Sequence, residues 1–299
     1  VTLMPSSDGE VAPTVTAYKT AGGFVMRSER VELCLDGQAH IVSYKLDGRE
    51  MTAGRPMNVL RMYKDVPRIF DAWDIDSNYR EQEACTARAD TLELLKEEGF
   101  SVSVRWTGSI GRSAVTQVIT LRTGSPVAEF DTTIQWRELH RLLKVEFPVD
   151  VRAENAIHEI QFGYVERPTH RSRGYDQQRF EVCNHRYTAL CDNSHGCAVL
   201  NDCKYGVGVE QNSIELTLLD GHKAVFTPEQ PLQLPQWFHR RDEELQSQAQ
   251  FRNIFPAGSA DAQIKSIRQS TPKLQPESDT AFADPDLHIP GILPRCLSA

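Results

Sequence analysis

A short acidic run around one tryptophan carries the side chains whose chemistry is easiest to interpret. Asp71, Asp74 and Asp76 flank Trp73. The ring of a tryptophan offers an apolar face on which a sugar ring can lie, and carboxylates accept hydrogen bonds from sugar hydroxyls. The run therefore predicts a carbohydrate contact. The alternative is an acidic surface loop that a buried tryptophan anchors.

A second run places arginine and histidine around a proline. Pro168 restricts Arg167 to an extended or turn conformation, and His170 follows in the same segment. An arginine at this position can grip a hydroxyl-rich ligand. Equally, Arg167 or Arg179 can form a structural ion pair with Asp176, because a buried arginine needs a partner. The sequence leaves both interpretations open.

Six cysteines and histidines cluster further along the chain, but their spacing does not fit a metal site. They are Cys183, His185, Cys191, His195, Cys197 and Cys203. The cluster has no Cys-x-x-Cys pair and no histidine pair at the spacing that zinc sites use. We therefore predict no metal and no cofactor on this chain. The sequence also lacks Ser/His/Asp nucleophile motifs, phosphate-binding glycine loops and a His-Glu-x-x-His helix.

The composition predicts a soluble globular protein. The chain has 299 residues, of which 40% are hydrophobic and 25% are charged, and a formal net charge of -8. An acidic chain without a basic run is a poor binder of nucleic acid, and no apolar run is long enough to span a membrane. The seven cysteines are scattered, which favours reduced thiols. No signal-peptide pattern is visible. Because the sequence does not begin with methionine, we expect a piece of a longer protein.

Short alternating runs separated by turn residues fill most of the chain. Residues 100–106 and 127–136 alternate apolar and polar side chains, and Asp47-Gly48 marks a hairpin turn. Residues 157–164 form another strand-like run. Residues 86–98 fit a helix and a strand equally well. The pattern predicts an all-β sandwich or barrel with almost no helix.

Changes in composition and in strand patterning divide the chain into three parts. Residues 1–22 are polar with Pro and Ser, and we expect an arm or linker there. Residues 23–225 hold the strand-like runs. In residues 226–299, proline and glutamine are frequent and strand patterning fades. We therefore expect an irregular C-terminal tail.

Six spaced motifs in the β-rich part resemble those of one known domain. They are Asp65-Val-Pro-Arg with Asp71-Ala-Trp-Asp-Ile-Asp, Leu142-Leu-Lys-Val-Glu-Phe-Pro-Val, Gln161-Phe-Gly-Tyr-Val-Glu-Arg-Pro-Thr-His, Arg179-Phe-Glu, Leu200-Asn-Asp-Cys-Lys-Tyr-Gly and Leu216-Thr-Leu-Leu. In this order they are similar to motifs of the C-terminal β-domain of glycoside hydrolase family 38, the retaining α-mannosidases, in its cytosolic and bacterial branch. Phe70, Tyr175 and Tyr187 stand where that family usually has tryptophan.

The resemblance implies an antiparallel super-sandwich of the galactose-mutarotase-like type, which packs beside a catalytic α/β barrel. In the family, the barrel carries the zinc ion, the nucleophile and the acid for retaining hydrolysis of α-mannosides. This sequence contains none of the barrel motifs, so the resemblance assigns no catalytic residue and no zinc ligand to it. It leaves open whether the chain is part of an active enzyme, and we expect the chain alone to be inactive.

The role that the resemblance implies is support of the barrel and of one wall of the sugar site. The candidate substrate-binding residues are Asp71, Trp73, Asp74, Asp76, Arg167 and His170. The implied partners are an α-mannoside and a catalytic barrel, in cytoplasmic mannose metabolism, without nucleic acid or membrane. The oligomeric state is left open. The alternative is a stand-alone carbohydrate-binding or structural β-domain without catalysis.

Overall fold

The computed structural model describes residues 15–67, 74–220 and 249–258 of the chain, and strands form nearly all of their regular structure. The strands in chain order are β1 (Thr16–Thr20), β2 (Gly23–Arg27), β3 (Val31–Asp36), β4 (Ile41–Leu46), β5 (Arg49–Glu50), β6 (Val59–Lys64), β7 (Glu83–Thr86), β8 (Arg88–Glu98), β9 (Ser101–Ile110), β10 (Ser113–Arg122), β11 (Val127–Gln135), β12 (Arg141–Pro148), β13 (Asn155–Ile160), β14 (Gly163–Pro168), β15 (Val182–Cys183), β16 (Tyr187–Cys191), β17 (Gly196–Asn201), β18 (Gly206–Glu210), β19 (Ser213–Asp220) and β20 (Ala249–Gly258).

Helix is confined to two short segments of the described ranges. They are a 3-10 helix at Tyr79–Gln82 and the α-helix α1 at Gly174–Gln178. The ambiguous run 86–98 is a strand over most of its length, since β8 covers Arg88–Glu98. The predicted all-β class is therefore confirmed. Neither helix has the length and apolar character that crossing a bilayer requires, and no other candidate occurs in the described ranges.

The strands build three antiparallel sheets. The N-terminal sheet has five strands in the order β1-β2-β3-β4-β5. A nine-stranded sheet follows the order β14-β13-β16-β17-β20-β11-β10-β9-β8. A six-stranded sheet follows the order β15-β18-β19-β12-β6-β7. Most neighbours in the sheets are hairpin partners, as expected for strands joined by short turns.

The predicted Asp47-Gly48 turn joins β4 to β5. The φ angles are 50° at Asp47 and 83° at Gly48, and Leu46 pairs directly with Arg49. Positive φ at both central residues is the geometry of a type I′ hairpin turn, and Asp-Gly is among the sequences that adopt it most easily. The turn is therefore confirmed.

The two larger sheets pack face to face around one apolar core. Along β12, Leu143, Val145 and Phe147 are fully buried and belong to that core. Phe130 of β11 meets Phe147 across the gap, with ring centroids 5.9 Å apart. Burying one such ring contributes about 1.5–3 kcal/mol to stability. The predicted sandwich is formed by this pairing of inner faces.

The other face of the six-stranded sheet is polar. Lys144 and Glu146 alternate with the core residues of β12, so they lie on the opposite face. Their register partners on β19 are Thr217 and Glu215. These side chains are nonetheless largely buried. The outer face is therefore covered, and the segments that cover it include the candidate site.

Strand β20 lies inside the range for which an irregular tail was predicted. It pairs with β11 on one side and β17 on the other, with Phe130 opposite Asn253 and Leu200 opposite Ile254. A strand between β11 and β17 satisfies backbone groups that would otherwise lack partners. Local composition cannot reveal such a long-range pairing, which explains the difference from the prediction. The rest of 226–299 lies outside the described residues.

Candidate functional site

Arg167 and Pro168 end an edge strand of the nine-stranded sheet. The strand-like run 157–164 is two strands and a turn, because Ile160 pairs with Gly163 and Gln161-Phe162 forms the bend between β13 and β14. The prediction of one continuous run is therefore corrected. Ala156 lies opposite Arg167 in the same ladder. This pairing holds Arg167 extended, as Pro168 predicts.

The two predicted site residues of this segment have different environments. Arg167 is half-buried, and its Nη1 donates to the carbonyl oxygen of Cys183 at 3.3 Å. Burial, together with nearby Arg179, lowers the pKa of the Arg167 guanidinium from its ordinary value. His170 is exposed, and its Nδ1 lies 2.8 Å from Oγ of Ser172. Only Arg167 therefore faces a confined space.

That space is a small hollow between the edges of the two large sheets. Its volume is about 20 Å³, which accommodates about one water-sized group. The residues that line it, called the hollow below, are His158, Arg167, Pro168, Asp176, Arg179, Val182 and Val209. The hollow thus combines two cations, one carboxylate, one imidazole and an apolar floor.

Asp176 is the residue of the hollow whose hydrogen bonding is incomplete. It lies in α1 and is only 5% exposed. Neither oxygen of its carboxylate has a hydrogen-bond partner among the residues that the structure describes. In the described residues no ion pair joins Asp176 to Arg167 or Arg179, and Arg179 instead lies over the ring of Tyr175, 5.5 Å from its centroid. The structural Arg–Asp pair that the sequence left open is therefore not formed.

His158 contributes a neutral imidazole to the hollow. Its side chain is 1% exposed, and burial together with Arg167 lowers its pKa from 6.5 to about 4. Nδ1 lies 3.0 Å from Oγ1 of Thr188. The hydrogen bonds of Asn184 assign its amide so that Oδ1 accepts from Thr188. Thr188 then accepts from Nδ1–H of His158, which leaves Nε2 as an acceptor.

The acidic run that contains the other predicted site residues is described only in part. Asp71 and Trp73 lie outside the described residues. Asp74 is exposed and Asp76 is half-buried. The carbonyl oxygen of Asp76 accepts a hydrogen bond from the backbone N–H of Tyr79 at 3.0 Å, where the 3-10 helix begins. The end of the acidic run is thus tied to that helix.

Contacts across the outer face bring the 3-10 helix that follows Asp76 and the segment that follows His170 to the same end of the six-stranded sheet. Glu210 forms ion pairs with both Arg80 of the 3-10 helix and Arg171, the latter at 3.3 Å. The rings of Tyr79 and Phe180 lie 6.0 Å apart. One carboxylate therefore links the neighbours of Asp76 to the neighbours of His170.

Comparison with known proteins identifies the family. The family model described as the glycosyl hydrolases family 38 C-terminal domain matches residues 29–228. The chain belongs to glycoside hydrolase family 38. The resemblance that the six motifs indicate is thereby confirmed, and this family 38 domain is the C-terminal part of such proteins.

Curated relatives of the family 38 domain are much longer than the chain. Alpha-mannosidase 2C1 of Homo sapiens is 36% identical over 217 residues, which cover 71% of this chain and 21% of the relative. Alpha-mannosidase of Saccharomyces cerevisiae is 31% identical over 180 residues, covering 56% and 16%. The chain therefore spans about a fifth of the length of the curated relatives that it matches.

A solved structure shows the same fold. An alpha-mannosidase from Enterococcus faecalis V583 matches with a TM-score of 0.66 at 12% identity, over 82% of this chain and 30% of that chain. At this identity the match establishes a shared architecture. The antiparallel super-sandwich of the family 38 domain is therefore common to both.

An enclosed ion network covers the outer face of the six-stranded sheet in the family 38 domain. Lys144 is 1% exposed and donates to Glu181 at 2.5 Å and to Thr217 at 2.8 Å. Its ammonium group also lies 5.2 Å from the ring centroid of Tyr79. Arg80 extends the network by pairing with Glu215 at 3.1 Å. We call Tyr79, Arg80, Lys144, Glu181, Glu210, Glu215 and Thr217 the enclosed network.

The enclosed network was not predicted from the sequence, although the sequence contains a signal for it. Lys144 and Glu146 occupy every second position of a strand whose other positions are apolar. Gly206 and Gly208 are likewise two residues apart on β18. A Cβ at Gly208 would lie 3.1 Å from Nη2 of Arg80, and one at Gly206 would lie 2.9 Å from Oε1 of Glu181. The glycines therefore leave room for charges that approach the backbone.

The cysteines and histidines do not form a metal centre in the described part of the family 38 domain. Cys197 is buried in the core, whereas Cys183 and Cys203 are exposed. Nε2 of His195 lies 2.6 Å from the carbonyl oxygen of Asp150. No group of three potential ligands gathers anywhere in these described ranges. The described cysteines are free thiols.

Proposed function

We propose that the chain is the C-terminal β-portion of an α-mannosidase-like glycoside hydrolase, in which it supports the catalytic barrel and forms one wall of the sugar site. The observation that carries the proposal is the family 38 match over residues 29–228, together with α-mannosidase relatives of which the chain spans about a fifth. Hydrolysis of terminal α-mannosides then belongs to the complete enzyme.

The proposed wall consists of the six residues predicted from the sequence. They are Asp71, Trp73, Asp74, Asp76, Arg167 and His170. Support for a common location comes from Glu210, which pairs with Arg80 and with Arg171. Carboxylates that accept from sugar hydroxyls and guanidinium groups that donate to them would then face the same ligand.

Exposed aromatic side chains offer a surface on which the barrel can dock. Phe162 and Tyr164 are exposed on the β13–β14 hairpin, and Phe162 has a φ of 64°. Such a conformation costs a bulky residue about 1–2 kcal/mol, which supports a functional rather than structural role. His185 donates its backbone N–H to Glu159, the register partner of Tyr164, and its ring lies 6.0 Å from that of exposed Tyr205.

In this proposal the catalytic carboxylates and the zinc ion belong to the barrel. Retaining hydrolysis needs two carboxyl groups about 5–5.5 Å apart on either side of the scissile bond. The described residues of this chain offer no group of three potential metal ligands. The chain's own part is to bind and orient the sugar. The proposal includes a cytoplasmic role in mannose metabolism, as in the branch that the motifs resemble.

Reconstitution tests the proposal. The purified chain alone should not hydrolyse an aryl α-mannoside, with or without added zinc. A family 38 barrel fragment should gain turnover when the chain is added. Zinc-dependent turnover by the pure chain would overturn the proposal. A barrel that is equally active without the chain would favour the stand-alone carbohydrate-binding or structural domain instead.

A further inference from the structure

The hollow contains one carboxylate that accepts no hydrogen bond from the described part of the chain. Asp176 has two buried oxygens without a hydrogen-bond partner. Arg167 and Arg179 line the same space. An unpaired buried carboxylate is costly, and folded proteins rarely retain one without a reason. A ligand that enters the hollow and donates to Asp176 would explain why this carboxylate is retained.

We infer that the hollow binds one hydroxyl group of the sugar, with Asp176 as its acceptor and Arg167 and Arg179 as the available donors. The inference deepens the proposed function and rests on it, because it adds Asp176 and Arg179 to the wall of the same sugar site. The hydroxyl group donates a hydrogen bond to a carboxylate oxygen of Asp176 and accepts one from a guanidinium N–H.

The charges of the hollow select a neutral ligand group. A cationic group near Asp176 would also face Arg167 and Arg179. An anionic group near the two arginines would face the carboxylate. The imidazole of His158 stays neutral because burial and Arg167 lower its pKa. A hydroxyl group is neutral and is both donor and acceptor, so it satisfies both kinds of side chain.

The size of the hollow limits how much of the ligand it takes. A volume of about 20 Å³ admits a hydroxyl-sized group but no sugar ring. The ring therefore lies over the opening, with one polar edge pointing inward. Val182 and Val209 line the hollow without offering hydrogen bonds. The charged side chains of the hollow therefore determine which ligand groups it accepts.

The backbone around the hollow holds these side chains in place. Thr169 follows Pro168, is buried, and its Oγ1 donates to the carbonyl oxygen of Ala153 at 2.7 Å. The carbonyl oxygen of Thr169 accepts from the backbone N–H of Gln211 at 2.8 Å. Both contacts tie the end of β14 to its neighbours. A site that is already rigid loses less entropy when it binds a ligand.

The test is an NMR titration of the full chain with methyl α-D-mannoside and its monodeoxy analogues. The wild-type chain should bind the parent sugar, and at least one analogue should bind about tenfold more weakly, because a hydrogen bond to a charged group is lost. Asp176→Asn should weaken binding of the parent sugar about tenfold. In that variant the difference between parent and analogue should disappear. Asp90→Asn, at an exposed position of β8, is the matched control and should bind like the wild type.

The outcomes separate this inference from the proposed function. No binding of the sugar by the wild-type chain would overturn the inference about the hollow, whereas the reconstitution with a barrel fragment decides the proposed function separately. Binding that is unaffected by Asp176→Asn, or analogues that all bind as tightly as the parent, would overturn the hollow alone and leave the wall in place. The second result is also the one expected if the hollow holds only a structural water. The analogue series on the wild-type chain decides the question even if the variant does not fold.

Discussion

Lys144 of the enclosed network and Asp176 of the hollow are both buried charged side chains, but they differ in how completely they are paired. In the enclosed network, Lys144 has a carboxylate, a hydroxyl and an aromatic ring around its ammonium group. In the hollow, Asp176 has no hydrogen-bond partner for either oxygen. The two sites are neighbours, since both include residues of β18. Proximity alone therefore does not explain the difference.

The comparison shows how one surface can serve two purposes. A buried charge with all its partners holds the segments around it in one arrangement. Here the enclosed network fixes the 3-10 helix and the segment around Phe180 against the sheet. A buried charge without partners weakens the fold unless a ligand supplies them. The paired site thus positions the unpaired one.

Breaking the enclosed network should have the largest effect. Lys144→Met removes the cation and leaves the half-buried carboxylate of Glu181 with only the hydroxyl of Thr217, which should lower the free energy of unfolding by about 3 kcal/mol. Urea denaturation measures the change. The control is Lys96→Met, which removes an exposed pair with Glu98 and should change stability by less than about 1 kcal/mol. Equal effects of the two variants would contradict the structural role of the network.

The hollow should make stability depend on pH. The pKa of His158 is lowered to about 4 when folded, against 6.5 ordinarily. The unfolded chain therefore binds a proton between these values and the folded chain does not, so the contribution is fully present above pH 6.5 and is lost as the pH falls towards 4. Between pH 7 and 5 the wild type should lose about 2 kcal/mol more than His158→Gln. Parallel pH profiles would show that His158 is not buried neutral.

Filling the space beside Arg80 should have a smaller effect. A Cβ at position 208 would lie 3.0 Å from the carbonyl oxygen of Phe180 and 3.1 Å from Nη2 of Arg80. Gly208→Ala should therefore destabilise the chain by about 1 kcal/mol or more. At Gly163 a Cβ would meet nothing within 4 Å. Gly163→Ala is thus the matched control, and if it lowered the melting temperature as much, crowding at the network would not be the cause.

The strand pattern could be predicted because it is local. Alternation in residues 100–106 and 127–136 and the Asp47-Gly48 turn each follow from a few neighbouring residues. The central strand β20 could not be predicted, because its partners β11 and β17 lie far away in sequence. The bend at Gln161-Phe162 was also missed, since Phe162 occupies a left-handed position that usually favours glycine.

The candidate site could be predicted in its residue types but not in its pairing. Proline next to Arg167 indicated an extended arginine, and the structure has it on β14. The sequence named Asp176 only as a partner for an arginine, whereas the structure leaves it unpaired. Whether two side chains meet depends on the tertiary packing of α1 against β14. Sequence spacing does not contain that information.

Stability and sugar binding measured together on Asp176→Asn test the central claim most directly. The claim is that Lys144 of the enclosed network is paired for the fold and that Asp176 of the hollow is left unpaired for the ligand. The variant should be more stable than the wild type, with a free energy of unfolding about 1 kcal/mol higher. The reason is that a neutral amide is less costly to bury than an unpaired carboxylate. It should also bind methyl α-D-mannoside about tenfold more weakly. A variant that is less stable than the wild type and binds the sugar equally well would contradict the account.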